Sequence, residues 1–569
     1  MIRRIGITGF LLLCTLAVNA QSFNIEDIKN MFGKGNPLKL TGGFSANSTF
    51  NAGSEDLARD PFVYYLNGNI NLNIYGNINL PFSFSLTNSG TSYKLPSSPN
   101  RLSIHPSYKW ITGHIGDVSM TFSPYTLNGH IFTGAGVELS PDGWEFAAMY
   151  GRLLKAVEYD EAQPAFLPTY KRMGYGFKAG RQAEKYRISI NVFDAKDNVS
   201  SLITPPDSLG VTPMENLAGS VTFLYKPAQF IEISGEYGLS LLTLDTRSLA
   251  ENRDGIMGMW NASNMSSTYY KAFKAQINYV GETNRFGIGC ERIDPGYKTL
   301  GAYYFANDLE NITLNAYQAF LQNKMNINLS LGYERDDLDN AKASASSRIV
   351  GSANVTVMPN ERINANLSYS NFQTYTNVRS NFELINQENP LDKLDTLNFV
   401  QLSQSANLNV NIITRKNEAQ SHSLNINLSY QDAANKQGGV YHIGSVTEMI
   451  NAMAAYSWTF LKSGLTLNGA VNLNNSKILN GNTLTWGPTL GASTRLLKKK
   501  INLSGSLSYN AGSLEGVKQN EVFLCRINSS YSFLKRQSLT LAFNYQWRSA
   551  FNRPGVNNSL LTLGYTCSF

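Results

Sequence analysis

Residues 559–569, SLLTLGYTCSF, decide the fold. Leu561, Leu563, Tyr565, Cys567 and Phe569 share one face of an extended chain; Leu560, Thr562, Gly564, Thr566 and Ser568 share the other. Period two over about ten residues marks a strand whose faces meet different solvents. Ending on an aromatic inside such a strand departs from the frayed, polar termini of most soluble domains. Either the strand edges a large soluble β-protein or one of its faces meets lipid.

Composition favours lipid. The 569 residues include 30 Tyr, 29 Phe and 46 Gly, and 16% are charged. Mean hydropathy is −0.22, and beyond residue 20 no apolar run approaches the roughly 20 residues of a spanning helix. Strands that alternate lipid-facing with lumen-facing residues average to this moderate polarity. Arg3 and Arg4, the apolar run 5–18 and the small residues before Gln21 read as a signal peptide over 1–20. Without those two arginines the net charge of +7 becomes +5, too weak to imply a nucleic-acid partner. Cys290, Cys525 and Cys567 remain, too few and too scattered for a disulfide framework or a metal site. They read as small hydrophobes, with Cys525 and Cys567 on apolar strand faces.

Residues 21–37 carry one amphipathic segment, FNIEDIKNMF, and leave no room for an N-terminal plug domain. This short periplasmic segment precedes a barrel domain predicted over 38–569. From about Leu38 one unit recurs: alternating strand, short turn, alternating strand, longer polar loop. Turns fall at Pro141-Asp142-Gly143, Pro227-Ala228-Gln229, Gln322-Asn323-Lys324, Pro359-Asn360-Glu361, Lys462-Ser463-Gly464, Lys498-Lys499-Lys500 and Lys535-Arg536. Tyr369, Tyr430, Tyr456, Trp458, Tyr509, Tyr531, Tyr545 and Trp547 stand near strand ends, where amphipathic rings suit a membrane interface. On the opposite face lie Asn326, Asn328 and Ser330; Asn407, Asn409 and Asn411; Asn425, Asn427 and Ser429; and Ser504, Ser506 and Ser508. They predict a lumen of neutral amides and hydroxyls, with no ring of like charge.

The fold expected is all-β: a single large antiparallel transmembrane β-barrel of about 26 strands, with both termini periplasmic. Tyr565 and Phe569 form the membrane-insertion signal. Counting back from Phe569 leaves one strand too many, and the conflict falls within 287–311. Read as one crossing with an excursion at Asp294, Pro295, Gly296 and Tyr297, the parity is restored. Strand pairing around Pro106 and Gly113 is a second irregularity. Of the long loops at about 194–215, 243–267 and 373–396, the second carries Ile256, Met257, Met259 and Trp260, too apolar for a solvated tip. These four and residues 294–297 are the candidate constriction or partner contact. Asp207-Ser208-Leu209 and Asp395-Thr396-Leu397 match a short O-glycosylation pattern at Ser208 and Thr396.

Catalytic patterns are missing from the sequence. His105, His114, His130, His422 and His442 form no HExxH or HxH, and there is no GxSxG or phosphate loop. The prediction is a non-enzyme without cofactors or metal.

The signal segment, the Tyr- and Asn-rich strands and the final Phe569 resemble outer-membrane barrels of Bacteroidota. ERIDPGYKTLGAYYFANDLENITLN and GDVSMTFSPYTLNGHIFTGAGVEL are similar to segments of large barrels near the type 9 secretion translocon. The resemblance covers some 50 of the 569 residues and carries over no functional residue. It implies outer-membrane lipid and the barrel-assembly machinery as partners, with an outer-membrane protein as a further one. A lumen this wide must be closed by loops, by 287–311 or by a partner. The expected function is a loop-occluded or partner-gated channel for solutes or polypeptides; the alternative is a non-conducting scaffold of a secretion or assembly complex.

Overall fold

The computed structural model describes residues 38–569 except 54–59, 90–98, 162–166, 205, 251–263, 341–346, 372–373, 377–399, 435, 438–439, 442–446, 479–480 and 552. Its wall is one antiparallel sheet of 28 ladder strands. Two crossings are each made of two consecutive pieces, Arg101–Ile104 with Ser107–Tyr108 and Ile363–Ser370 with Thr374–Thr376, so the wall is crossed 26 times. The first strand, Leu38–Gly53, pairs with the last, Arg553–Ser568, and closes the barrel. Closure removes the free edges that an open sheet would present.

The alternation that makes each strand is visible in Tyr186–Asp197. Tyr186, Ile188 and Ile190 are exposed on one face, while Ser189, Asn191 and Phe193 are buried on the other. The same split recurs in neighbouring strands, with Tyr269, Phe273 and Ile277, then Phe286 and Ile288, on the exposed face. Cys290 lies in this row and is exposed. β-branched and aromatic residues suit such a half-solvated pleated surface. Exposed apolar side chains repeated from strand to strand form a patch larger than monomeric soluble proteins ordinarily present to water. Among the described residues no helix is long and apolar enough to cross a membrane.

Short turns occupy one rim and long connections the other, the arrangement of transmembrane barrels. The short-turn rim holds left-handed residues at Asp142 (φ 32°) and Gly143 (φ 79°), and at Leu321, Gln322 and Asn323. Pro106 splits its crossing because it has no amide for the ladder. Its carbonyl accepts the Gly113 amide at 2.7 Å instead.

The segment 287–311 resolves into three stretches. Gly287–Ile293 completes the strand Asn284–Ile293, residues 294–308 leave the wall, and Leu309 opens the strand Leu309–Phe320. The two strands are direct neighbours, with Ile293 opposite Leu309. No third strand lies between them, so the surplus crossing disappears. The chain turns away at Pro295, which offers no amide, and at Gly296, whose φ of +82° disfavours a side chain.

Candidate functional site

Two connections from the long-loop rim fold into the lumen and pack on each other. One is the tight connection Phe122–Leu127, between strands Ile111–Thr121 and Asn128–Leu139; the other is 294–308. Each is held first by its own backbone. The Phe122 amide donates to Leu127 at 2.9 Å, and the Tyr297 amide donates to Asp294 at 3.1 Å. They are then tied together: the Tyr297 hydroxyl donates to the Tyr125 carbonyl at 2.8 Å and the Thr299 hydroxyl to the Thr126 carbonyl at 2.7 Å. The Asn128 amide donates to the Gly301 carbonyl at 2.9 Å.

Lumen-facing wall residues meet the remaining polar groups. Ser240 donates to the Lys298 carbonyl at 2.6 Å, and the Leu300 amide donates to Asn216 at 3.1 Å. The Ser123 hydroxyl lies 2.9 Å from that of Ser220. The Tyr125 hydroxyl donates to Glu291 at 2.7 Å. Burial, then the charge of Glu291, raises the Tyr125 pKa above its ordinary value. Burial and Glu236 raise that of Tyr297, and the crowded lumen lowers that of Lys298 by desolvation although its side chain still reaches solvent. Met214 leans on the same cluster, and its amide donates to Asp197, the carboxylate gripped by Arg172 at 2.8 and 2.9 Å.

The apolar side of this plug rests on a smooth patch of wall. Leu127 and Leu300 are buried with Val118, Met120, Phe132, Met149, Leu153 and Phe193. Tyr125, Tyr297 and Phe305 form a second cluster, with ring centroids 4.9–6.0 Å apart. Glycines make the room. A Cβ on Gly176 would sit 2.7 Å from Phe122 Cε2, one on Gly151 2.5 Å from Phe132 Cδ2, and one on Gly238 2.8 Å from Tyr125 Cβ. Buried side chains with paired polar groups make this a fixed element of the fold rather than a loose loop.

Toward the short-turn rim, Phe122 roofs a cavity of about 360 Å³ lined by Lys178, Arg187, Ser189, Thr222, Ser234, Glu236, Lys274 and Gln276. Ion pairs stud the wall around it: Arg187–Glu145 at 2.7 Å, Lys178–Glu145 at 3.5 Å, Lys274–Glu291 at 3.4 Å, and Arg285 and Lys226 on Glu232 at 3.2 and 3.6 Å. The lumen is thus more charged in this sector than the amide-and-hydroxyl lining expected from the sequence, though its charges are paired with opposite ones. Amides and hydroxyls line the wall from about 326 to 508, but the sector from 138 to 291 carries paired charges. Near the short-turn rim His105 Nδ1 lies 2.9 Å from His114 Nδ1, and His114 Nε2 lies 3.7 Å from Glu138. Asp117 points to the other face, where it accepts from Thr133 at 2.6 Å.

Of the predicted site residues, Asp294 accepts the Lys271 amide at 2.8 Å, Gly296 abuts the Tyr270 ring, and Tyr297 is wholly buried in the plug. Pro295 stands between them at the turn out of the wall. Ile256, Met257, Met259, Trp260 and Thr396 lie outside the described residues, as do the signal segment and 21–37. Ser208 is exposed on the single-turn 3-10 helix Asp207–Leu209, held by Arg247 on Asp207 at 2.6 Å. Tyr565 lies 5.5 Å from the Phe44 ring, and Phe569 pairs with Gly42. Among the described residues no three His, Cys, Asp or Glu side chains are grouped to hold a metal. The plug half at Ser123–Leu127 escaped sequence reasoning. Its one signal was the period-two glycine face of the strand it rests on, Gly174, Gly176 and Gly180.

No family model matches the chain, and no curated protein does. Among solved structures the chain is similar to the FrpB iron transporter of Neisseria meningitidis, at 11% identity and TM-score 0.37, over 95% of this chain and 84% of that one. It is similar to the ferric enterobactin receptor PfeA of Pseudomonas aeruginosa, at 8% identity and TM-score 0.34, over 93% and 80%. It is also similar to the P pilus usher PapC translocation pore, at 9% identity and TM-score 0.39, over 94% and 100%.

Proposed function

We propose that this chain is an integral outer-membrane β-barrel that works as a loop-occluded channel for solutes or polypeptides, its termini on the periplasmic side. The observation that carries the reading is the plug: Tyr297, Thr299, Leu300 and Leu127 are all but fully buried inside the lumen. A barrel of 26 strands left open would breach the membrane's barrier. A closure built from the barrel's own loops, above a cavity and a polar wall, supports restricted passage. The apolar exterior supports residence in lipid, reached through the barrel-assembly machinery with Tyr565 and Phe569 as the insertion signal. Bacteroidota origin and a place beside secretion machinery rest on the sequence resemblance alone. The exposed Ser208 is proposed as an O-glycosylation site, which intact-mass analysis of the native protein would show.

Planar-bilayer recording tests the channel. Purified protein should give discrete, reproducible conductance steps. A silent barrel that co-purifies in fixed ratio with secretion or assembly proteins would replace this reading with the scaffold.

A further inference from the structure

Across the lumen from the plug, the register of six consecutive strands sets amides and hydroxyls in rows. Asn354, Ser368, Asn407, Ser429, Asn451 and Asn474 stand directly opposite one another, strand by strand. Two residues along, Thr356, Asn366, Asn409, Asn427, Met453 and Asn472 form a second row. The opposite face carries Leu367, Leu428, Ile450, Val471 and Leu473, all exposed, so both rows face the lumen. Neighbours within a row are about 4.8 Å apart.

Such ladders can serve merely to staple a wall, and part of this one is spent that way. Asn366 donates to Thr356 at 2.9 Å, Asn451 donates to Ser429 at 3.1 Å, and Asn474 donates to Asn451. Asn354 and Asn409 are exposed to the lumen. Asn472 is only 6% exposed, yet neither its Oδ1 nor its Nδ2 has a partner. A buried amide left unpaired costs free energy that a ligand displacing the side chains in front of it would recover.

We infer that these rows are a binding track for a neutral, hydroxyl-rich chain, an uncharged oligosaccharide. A carboxamide presents a donor and an acceptor side by side, the pair that adjacent sugar hydroxyls complement. Neither row contains a charged side chain, so a phosphate or carboxylate finds no counter-charge there. Many weak, equivalent sites suit passage, since a solute must leave as readily as it enters. The inference deepens the channel reading by naming its solute, though binding to the track does not depend on conduction.

The test is calorimetric titration of the full chain in detergent with maltohexaose, with a Gly/Ser peptide of similar length and with hexaglutamate. Maltohexaose should bind, and hexaglutamate should not. Asn409→Leu with Asn472→Leu should weaken binding by about tenfold. Ser506→Leu, outside both rows, should bind as the parent does. Retained heat-modifiable migration shows that each variant has folded. No maltohexaose binding, unchanged affinity in the double variant, or row-dependent binding of the peptide instead would each overturn the inference. Bilayer recordings on the same samples separate the two claims. A conducting barrel blind to maltohexaose loses the track and keeps the channel; a silent barrel that binds it keeps the track and loses the channel.

Discussion

The Tyr297 hydroxyl donates to the backbone carbonyl of Tyr125 at 2.8 Å, joining two lumenal segments 172 residues apart in sequence. Tyr297→Phe removes this bond and keeps the ring, leaving the carbonyl unpaired at a cost of about 1–3 kcal/mol. Tyr297→Ala also opens a cavity, a change that costs about 3–5 kcal/mol for a buried aromatic. Hydrogen exchange should therefore speed at 122–128 and 297–301, more in the alanine variant, while strand amides in 231–243 stay protected. Equal protection in all three proteins would show that the segments are not coupled.

The wall glycines give a second route to the plug. A Cβ on Gly238 would meet Tyr125 Cβ at 2.8 Å and the Tyr297 hydroxyl at 3.1 Å, whereas one on Gly219 meets nothing nearer than 3.8 Å. Gly238→Val should unseat the plug within an intact barrel. Gly219→Ala should leave it in place. The readout is trypsin cleavage after Lys298, expected in the first variant only.

Acid should loosen the turn that presents Arg247 on the long-loop rim. Arg247 bonds to Asp245 at 2.9 Å and to Asp207 at 2.6 Å, and its hydrogen bond holds the Asp245 carboxyl below the ordinary 3.8. A lowered carboxyl pKa contributes stability that is full above the ordinary value and is lost as pH falls through the lowered one. A spin label on Ser248→Cys, in the turn that the Asp245–Arg247 pair holds, should stay immobile at pH 5 and loosen only below the ordinary 3.8 of an aspartate. Loosening that begins near neutrality would contradict the assignment.

The outward row predicts thiol chemistry. Cys290 is exposed beside Ile288 and Phe286, on the face assigned to lipid. In liposomes a membrane-soluble maleimide should label it, and a charged, impermeant one should not. Rapid labelling by the charged reagent would invert the two faces.

The wall was legible in the sequence because its signal is local. Alternation in residues such as Leu561, Leu563 and Tyr565 needs only neighbours two apart, and the parity of turns then led to 287–311. Closure is not local: the Phe569 amide and carbonyl exchange bonds at 2.9 and 3.0 Å with Gly42, at the other end of the chain. A Cβ on Gly42, at φ +145°, would lie 2.2 Å from the Asn69 carbonyl oxygen. The plug was only half visible. Pro295 and Gly296 marked a departure from the wall, but nothing near Tyr125 announces a partner so distant in the chain. The ion pairs around Glu145 and Glu232 were hidden for the same reason: each joins residues on separate strands, and a lone Glu or Lys in a strand does not show which charge stands opposite. The amide rows were seen strand by strand; their alignment across strands follows from register alone.

Single-channel conductance shows whether the barrel's own loops close it. Parent protein should be compared with a variant in which residues 295–307 are replaced by a short glycine-containing turn, in the same bilayers. Small, stable steps are expected from the parent and severalfold larger ones from the variant. Equal conductance in the two proteins would contradict closure by the loops.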